Sequence, residues 1–261
     1  MMKSFGIRII LLCLLFCWSQ MILSQGIYGG TVLYQQITKH DFETVFDKQT
    51  MDRVKEYLGG TLPSESKGQK VLTFTAESAL YEKAPQTEAS DSRLQGIMMR
   101  MEMSRPPRPK LQKVYYDLGK NEKIEQVEFM TRNFLISGPI KRKAWKLTNK
   151  KTKILDHTCM GAELKKGEDT ILAYFTSEIP VSLGPDEFTG LSGLILAIEK
   201  NGETVFLATS IDLRPPANES LSEPKDGRKV TQEEFDDILK DKVKEYEETK
   251  SSGQRTERGR R

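Results

Sequence analysis

The alternation of apolar and polar residues is the main pattern in this chain, and it predicts a protein built mostly of β-strands. Residues 27–37 are β-branched and aromatic, and the alternation returns at residues 70–83 and again at 111–136, where residues 119–122 separate two runs. Between the first two strands, residues 42–58 change to apolar spacings of three and four, which predict a helix. Residues 84–110 are rich in Ser, Glu, Arg and Pro, so we expect a long surface excursion there.

Turn signals divide the second half of the chain into hairpins. The first is predicted to turn at residues 149–150, and the next, over residues 159–176, to turn near Gly167. The strongest signal is the Asn201-Gly202 pair, because both residues tolerate the positive φ of a type I′ turn. Consecutive hairpins predict an antiparallel meander, in which neighbours in sequence are neighbours in the sheet.

An amphipathic helix is predicted near the C-terminal end. Thr231 and Glu234 form a capping box, since each side chain can bond the other residue's backbone amide. Residues 250–261 contain no apolar side chain, and we expect a disordered basic tail there. The predicted fold class is mainly β (α+β): a single antiparallel, curved meander sheet or half-barrel with the C-terminal amphipathic helix packed on it. The helix carries one apolar stripe, formed by Phe235, Ile238, Leu239, Val243 and Tyr246.

The first 24 residues have the layout of a secretory signal peptide, with Lys3 and Arg8 before an apolar run and small or polar residues after it; we expect cleavage after Ser24, with cleavage after Ser19 as the alternative. The run is too short for a confident membrane span, so we expect no transmembrane helix in the mature chain. An alternative is a lipid anchor at Cys17, although Phe16 stands where a small residue is needed. The sequence therefore predicts an exported protein of the periplasm, the outer-membrane periphery or the extracellular space.

Removal of residues 1–24 changes the charge and the cysteine count. The formal net charge of +3 loses two positive charges and leaves +1, which gives no reason to expect a nucleic-acid partner. Cys159 becomes the only cysteine, so no disulfide can form within the chain. The predicted domain at 25–249 must therefore be held together by a hydrophobic core.

Residues 174–200 hold the densest set of prolines and glycines between apolar runs. Glycine is used where the backbone needs a positive φ or a close approach, and proline fixes φ in turns. We expect Leu191, Leu194 and Leu196 to be buried beside these residues. The stretch is predicted to be a structural clamp made of Gly184, Pro185, Gly190, Leu191, Gly193, Leu194 and Ile195.

The same stretch resembles the GLPGLI family, secreted proteins of unassigned function from Gram-negative bacteria, whose motif is present here at residues 190–195. Ser192 stands where that family usually has proline. The resemblance implies an exported protein and supplies no catalytic residues. It continues outside the motif at Trp145, Ile154, Cys159 and Ala162.

His157 and Cys159 are the candidates for chemistry. They lie two residues apart on a predicted strand, which places both side chains on one face, where they could act as base and nucleophile. The sequence shows no orienting group or oxyanion site beside them, and cysteine often serves as a small buried apolar residue. Because the chain has two histidines, we expect no metal site, and we expect no cofactor.

A run of methionines could supply thioether ligands for Cu(I). We predict instead that the run fills irregular space along a sheet edge, because methionine adapts readily to such space. One face of this edge segment would carry Ile97, Met99, Met101 and Met103, with Met98 opposite.

These observations favour a non-enzymatic envelope protein that binds an apolar or lipid-like ligand, or a protein partner. The concave face of the sheet is the expected site, because a curved antiparallel sheet needs something to cover that face. The alternative is a hydrolase or thiol enzyme that uses His157 and Cys159. The expected partners are a lipid or a cell-envelope protein, and no nucleic acid.

Overall fold

The computed structural model describes residues 29–258 except for 43–46, 61, 86–91, 104 and 217–220. The predicted signal peptide, with Cys17, lies outside these residues. The described part of the chain forms twelve strands and three helices, in the order β1 (Gly29–Lys39), α1 (Lys48–Leu58), β2 (Glu65–Thr75), β3 (Ser78–Lys83), α2 (Ser92–Met103), β4 (Lys110–Asp117), β5 (Glu122–Phe129), β6 (Arg132–Pro139), β7 (Lys146–Ile154), β8 (His157–Lys166), β9 (Asp169–Thr176), β10 (Leu194–Lys200), β11 (Thr204–Asp212), β12 (Arg228–Val230) and α3 (Gln232–Arg258).

These strands form one sheet in the order β12-β6-β5-β4-β3-β2-β1-β11-β10-β9-β8-β7. β2 to β6 make one meander and β7 to β11 another, and β1 joins them because it pairs with both β2 and β11. The prediction of a mainly β fold is confirmed. The sheet is open and mixed rather than wholly antiparallel, because the chain returns along β12 in the same direction as β6.

The first meander contains two more turns than the alternation pattern indicated, one at residues 76–77 and one at Met130 and Thr131, whose φ values are 49° and 63°. Residues 70–83 were expected to form one strand, but the chain turns at Ala76 and Glu77 and gives β2 and β3. The turn has no glycine or proline. It is held by the side chain of Thr75, whose Oγ1 accepts hydrogen bonds from the backbone amides of Ser78 at 3.0 Å and Glu77 at 3.3 Å.

The predicted turn at residues 149–150 is wrong. β7 runs through this point and turns at Leu155 and Asp156, which have φ values of 47° and 67°. Two extra residues make a bulge in β7 between Leu147 and Lys151. The other two predicted turns are confirmed: Gly167 has a φ of 65°, and the Asn201-Gly202 pair joins β10 to β11 with φ values of 54° and 70°.

Two short helices pack on each other. Asp47 caps the start of α1 by accepting from the backbone amide of Thr50 at 2.9 Å, and Gly59 ends it in the left-handed conformation. α1 confirms the helix predicted within residues 42–58. The same packing unit includes α2, and its buried cluster consists of Phe42, Leu62, Ile97 and Met101, with Met51, Val54, Leu58 and Met98 packed against it.

α2 corrects the predicted surface excursion and the predicted methionine edge strand. In a helix, residues four apart share a face. Ile97 and Met101 are therefore buried together, while Met99 and Met103 are 66% and 74% exposed. The methionines are thus divided between two sides of a helix.

α3 begins at the predicted capping box. The backbone amide of Glu234 donates to Thr231 Oγ1 at 3.1 Å, and the amide of Thr231 donates to Glu234 Oε2 at 2.8 Å. Phe235 packs edge-on against Phe129 and Phe134 of β5 and β6. The helix extends to Arg258, beyond residue 249 where disorder was predicted. A formed helix adds about one hydrogen bond for each further residue, so it can propagate without apolar contacts.

The sheet's apolar residues are covered by the chain itself. Val32, Leu72, Tyr81 and Val114 are cross-strand neighbours on β1 to β4, and each is at most 2% exposed. The connection between β9 and β10, residues 177–193, packs here and is called the motif loop below. Its Ile179 and Leu183 belong to the same cluster as these strand residues, and its Phe188 and Leu191 belong to a second cluster on β8 to β11.

Candidate functional site

The motif loop is fixed to the sheet by backbone hydrogen bonds. The amide of Leu194 donates to the carbonyl of Ile179 at 3.0 Å, and the amide of Ile195 donates to the carbonyl of Leu183 at 2.9 Å. Residues 179–183 therefore run beside the start of β10. The remainder of the loop turns back, with the amide of Gly190 donating to Ser182 Oγ at 3.2 Å.

The glycines of the motif allow this close approach in two ways. A Cβ atom at Gly193 would lie 2.0 Å from the carbonyl oxygen of Thr176, so no side chain fits there. Gly190 has a φ of 98°, which L-residues rarely adopt, and it faces the backbone of Lys143. Gly184 is buried against the side chain of Ile195, and Pro185 after it is also buried. The predicted burial of Leu191, Leu194 and Leu196 is confirmed, since none is more than 4% exposed.

Residues 141–145 cross over the motif loop. The indole Nε1 of Trp145 donates to the carbonyl of Thr189 at 2.8 Å, and its ring lies 6.1 Å from that of Phe188. Lys143 places its Nζ 5.4 Å from the centroid of the Phe188 ring and 3.2 Å from a carboxylate oxygen of Glu187. This segment therefore binds the loop by hydrogen-bond, aromatic and ionic contacts together.

Asp186 is the unusual charged group of the motif loop. It is only partly exposed, it has a φ of 58°, and its carboxylate makes no hydrogen bond or ion pair with the described residues. Burial, with the nearby Glu187, raises the pKa of Asp186 to about 6, although Lys200 and Lys70 oppose the change. For Glu187 itself, burial also favours the neutral form, but Lys143 and Lys166 outweigh it and lower the pKa. Two adjacent carboxyl groups thus differ in their ease of ionisation.

Three buried tyrosines lie next to the motif. The hydroxyl of Tyr34 donates to the carbonyl of Ile195 at 2.7 Å, and that of Tyr116 donates to the carbonyl of Asp186 at 3.4 Å. The hydroxyl of Tyr81 is buried near the backbone of Asp186 and forms no hydrogen bond of normal geometry with the described residues. Burial raises the pKa of all three phenols above the usual value, so they are neutral hydrogen-bond donors.

His157 and Cys159 lie at the beginning of β8, as predicted, but the structure separates their environments. His157 Nδ1 is 2.6 Å from Glu178 Oε2, and the other oxygen of Glu178 accepts the amide of Thr158 at 3.1 Å. Cys159 is fully buried, and its Sγ lies 3.6 Å from the carbonyl oxygen of His157. Burial raises the pKa of the Cys159 thiol, which disfavours the thiolate.

A pocket of about 610 Å³ opens beside the motif loop, and we call it the loop-side pocket. Its volume is within the range of small-molecule sites. Its wall is mixed: Leu118, Ile140 and Val181 supply apolar side chains, and polar groups, among them those of Arg142 and Asn121, make up about half of the lining surface. The guanidinium of Arg142 is exposed and forms no ion pair with the described residues. The full lining is Thr75, Ala76, Leu118, Asn121, Ile140, Arg142, Pro180, Val181, Ser182, Leu183, Thr189 and Gly190.

Metal ligands do not gather in the described part of the chain, where no three His, Cys, Asp or Glu residues lie close enough to hold an ion. None of the described helices is long and apolar enough to cross a bilayer.

Sequence reasoning found the motif loop and missed the groups that give it chemical character. Asp186 has no signal of its own in the sequence, because its burial depends on the strands beneath it. Arg142 and Asn121 meet Ser182 only after the two meanders are joined through β1. The spacing of these three residues in the sequence does not indicate that they line one pocket.

Comparisons with known proteins found a family model of unknown function that matches part of the chain, and solved structures with a similar fold. A family model described as "Protein of unknown function (Porph_ging)" matches residues 141–197, which include the crossing segment 141–145, β7 to β9 and the motif loop. No curated protein sequence matches the chain.

Two solved structures of PNGF-II, in space groups P21 and C2, are similar to this chain. Each superposes with a TM-score of 0.51 at 16% sequence identity and covers 81% of this chain. This chain corresponds to 33% and 32% of the length of those two chains. At this identity the likeness shows a shared fold and no more.

Proposed function

We propose that this chain is an exported, non-enzymatic protein of the cell envelope that binds an apolar or lipid-like ligand in the loop-side pocket. The observation that carries the proposal is the pocket itself, where the apolar side chains of Leu118, Ile140 and Val181 lie beside a guanidinium that forms no ion pair with the described residues. Sites for small ligands combine apolar walls with a few polar groups that fix orientation. Membership of the GLPGLI family and export by the N-terminal segment are parts of the same proposal.

The pocket replaces the concave face as the proposed site. The apolar residues of β1 to β4 are covered by Ile179 and Leu183 of the motif loop, so the sheet needs no ligand to cover them. Beside the loop, Leu118, Ile140 and Val181 remain as the wall of an open pocket. A ligand can therefore bind without displacing the core.

The chemistry of the wall defines the ligand class. Leu118, Ile140 and Val181 suit a hydrocarbon body, and Arg142 suits an acidic head, because a guanidinium binds carboxylate or phosphate in a bidentate manner. Asn121 and Ser182 can add neutral hydrogen bonds. We therefore propose an acidic amphiphile, such as a fatty acid or an acidic lipid.

The test is displacement of a fluorescent fatty-acid probe from the full mature chain. Ala76→Trp should fill the pocket and abolish probe binding, because Ala76 lines the pocket from an exposed turn. Glu77→Trp changes the neighbouring turn residue, which does not line the pocket, and is the matched control. Equal loss of binding in both variants, or no probe binding by the parent, would contradict the proposal.

A second pair of variants tests the acidic head. Arg142→Gln should weaken the binding of an acidic probe about 10-fold or more, since a hydrogen bond to a charged group contributes roughly 1.5 kcal/mol or more. The same variant should bind the corresponding neutral alcohol as tightly as the parent does. Arg132→Gln, at an exposed position outside the pocket, should change neither. Equal effects of Arg142→Gln on acid and alcohol would assign its role to packing.

The thiol enzyme that uses His157 and Cys159 is the second candidate. The Glu178 carboxylate beside His157 favours it, because a catalytic histidine needs an orienting partner. Full burial and the raised pKa of Cys159 oppose it. Iodoacetamide at neutral pH should modify native Cys159 much more slowly than the unfolded chain, whereas rapid and selective modification of the native protein would favour the enzyme.

A further inference from the structure

Positive charge is concentrated at one edge of the sheet. Residues 141–153, KRKAWKLTNKKTK, contain seven basic residues and no acidic one, whereas the whole chain has 40 basic and 37 acidic residues. We call this segment the basic edge; it comprises β7, with neighbour β8 on one side only, and the residues before it. A nearly balanced chain therefore has one strongly cationic segment, which lies at an edge of the sheet.

Most of these cations are available to a partner. Lys143 pairs with Glu187 at 3.2 Å, and Lys153 pairs with Asp156 at 3.1 Å through two side chains that are mostly exposed. The other five are exposed and form no ion pair with the described residues; they are Lys141, Arg142, Lys146, Lys150 and Lys151.

Protection of an edge strand explains only part of this surface. Lysines on an edge strand prevent unwanted pairing with other strands. Residues 141–143 precede β7, however, where no strand edge needs protection. Leu147 is 63% exposed in the middle of the lysines, and Leu155 is 40% exposed at the following turn. Exposed leucines would work against protection of the edge.

Cations combined with exposed apolar side chains are typical of surfaces that lie on membranes. Basic residues attract anionic headgroups, and apolar side chains enter the boundary between headgroups and acyl chains. A soluble polyanion would use the lysines and leave Leu147 without a role. The leucines therefore favour a lipid surface over a nucleic acid or an acidic polypeptide.

We propose that the basic edge docks this protein on an anionic lipid membrane. The inference rests on the proposed function in one respect, which is that Arg142 belongs both to the basic edge and to the loop-side pocket. An acidic amphiphile that leaves the docked membrane would meet the pocket with its head at this guanidinium. The membrane is thus the source or the destination of the pocket's ligand.

Sedimentation of the mature chain with lipid vesicles tests this proposal. We expect binding to vesicles of phosphatidylcholine and phosphatidylglycerol, weak binding to phosphatidylcholine alone, and loss of binding in high salt. The triple variant Lys146→Glu, Lys150→Glu, Lys151→Glu should bind about 100-fold more weakly, because each lysine near an anionic surface contributes roughly a factor of five. A triple variant with the same net charge at exposed positions elsewhere is the control: Lys48→Glu, Lys67→Glu and Lys229→Glu.

Leu147→Ser separates membrane binding from simple attraction between charges. It keeps every charge and should weaken vesicle binding severalfold while leaving retention on heparin unchanged. Equal loss in the two triple variants would overturn the proposal. Retention on heparin without vesicle binding would also overturn it, because the surface would then belong to a soluble polyanion.

The membrane proposal and the proposed ligand-binding function can be tested independently of each other. Lys146, Lys150 and Lys151 do not line the loop-side pocket, so the triple variant should bind the fatty-acid probe normally in the absence of vesicles. Probe binding without vesicle binding removes only the membrane proposal. Vesicle binding without probe binding removes only the pocket.

Discussion

The motif loop and helix α3 both cover apolar side chains of the sheet, and they do so by opposite means. The loop has no regular structure and comes so close to the strands that Gly193 touches the carbonyl oxygen of Thr176. The helix keeps its backbone away from the sheet and inserts Phe235 against Phe129 and Phe134. The loop should therefore be most sensitive to added atoms, and the helix to removed atoms.

Addition of atoms to the motif loop is expected to lower the free energy of unfolding more than any other change proposed below. Gly193→Val places a Cβ atom 2.0 Å from a backbone oxygen that cannot move without disturbing β9. The cost arises from this contact, since the φ of Gly193 lies outside the left-handed region. We expect the free energy of unfolding in urea to fall by about 4 kcal/mol or more.

The control for this variant is Gly138→Val on β6, where a Cβ atom would meet nothing within 4 Å. It should change the free energy of unfolding by less than about 1 kcal/mol. Similar losses at both glycines would show that the motif loop has no special need for close approach. A folded Gly193→Val protein that has lost ligand binding would make the loop a recognition surface.

Removal of atoms from the helix should have the next largest effect. Phe235→Ala removes a buried ring from its contacts with two aromatic side chains, and we expect the free energy of unfolding to fall by about 3 kcal/mol. Val243→Ala, on the same helix but outside the buried cluster, should cost less than about 1 kcal/mol. Circular dichroism during urea unfolding measures both, and equal losses would mean that the packing of α3, which includes Ile238 and Leu239, extends as far as Val243.

Charge in the motif loop is expected to reduce stability at neutral pH. Asp186 has a folded-state pKa of about 6, whereas an aspartate in an unfolded chain titrates near about 4. The folded state therefore holds this proton more tightly, and stability falls as the pH rises from about 4 to about 6. The groups that face Asp186 are Glu187, Lys200, Lys70 and Glu125.

Asp186→Asn should remove this loss and retain the backbone, since asparagine also tolerates a positive φ. At pH 8 we expect a gain of about 2 kcal/mol in the free energy of unfolding, less than the full linkage value because the side chain is partly solvated. The difference from the parent should vanish below about pH 4. Asp52→Asn, at an exposed position of α1, is the control, and the same pH profile in that variant would refute the role of Asp186.

The smallest effects concern the tyrosine hydroxyls beneath the loop. Tyr34→Phe removes a buried hydrogen bond to the carbonyl of Ile195 and should cost about 1 kcal/mol. Tyr81→Phe removes a hydroxyl without a partner and should be neutral or slightly stabilising. A larger loss from Tyr81→Phe than from Tyr34→Phe would reveal an unrecognised partner of Tyr81.

Elements with a local cause could be predicted from the sequence. The Asn201-Gly202 and Gly167 turns, the capping box at Thr231 and the end of α1 at Gly59 depend on nearby backbone and side-chain chemistry. Predictions failed where local signals were weak or ambiguous. Asn149 entered a bulge and the turn formed at Leu155-Asp156, although leucine is a poor turn residue.

The sequence by itself determined the type of most elements and the apolar, glycine-dependent nature of the motif loop, because periodicity and turn chemistry act over a few residues. Only the tertiary structure decided that β1 joins the two meanders and that β12 runs parallel to β6. It also decided that Asp186 is shielded from solvent and that Arg142 reaches the loop-side pocket. Burial and electrostatic environment depend on residues distant in sequence, so no local pattern can encode them.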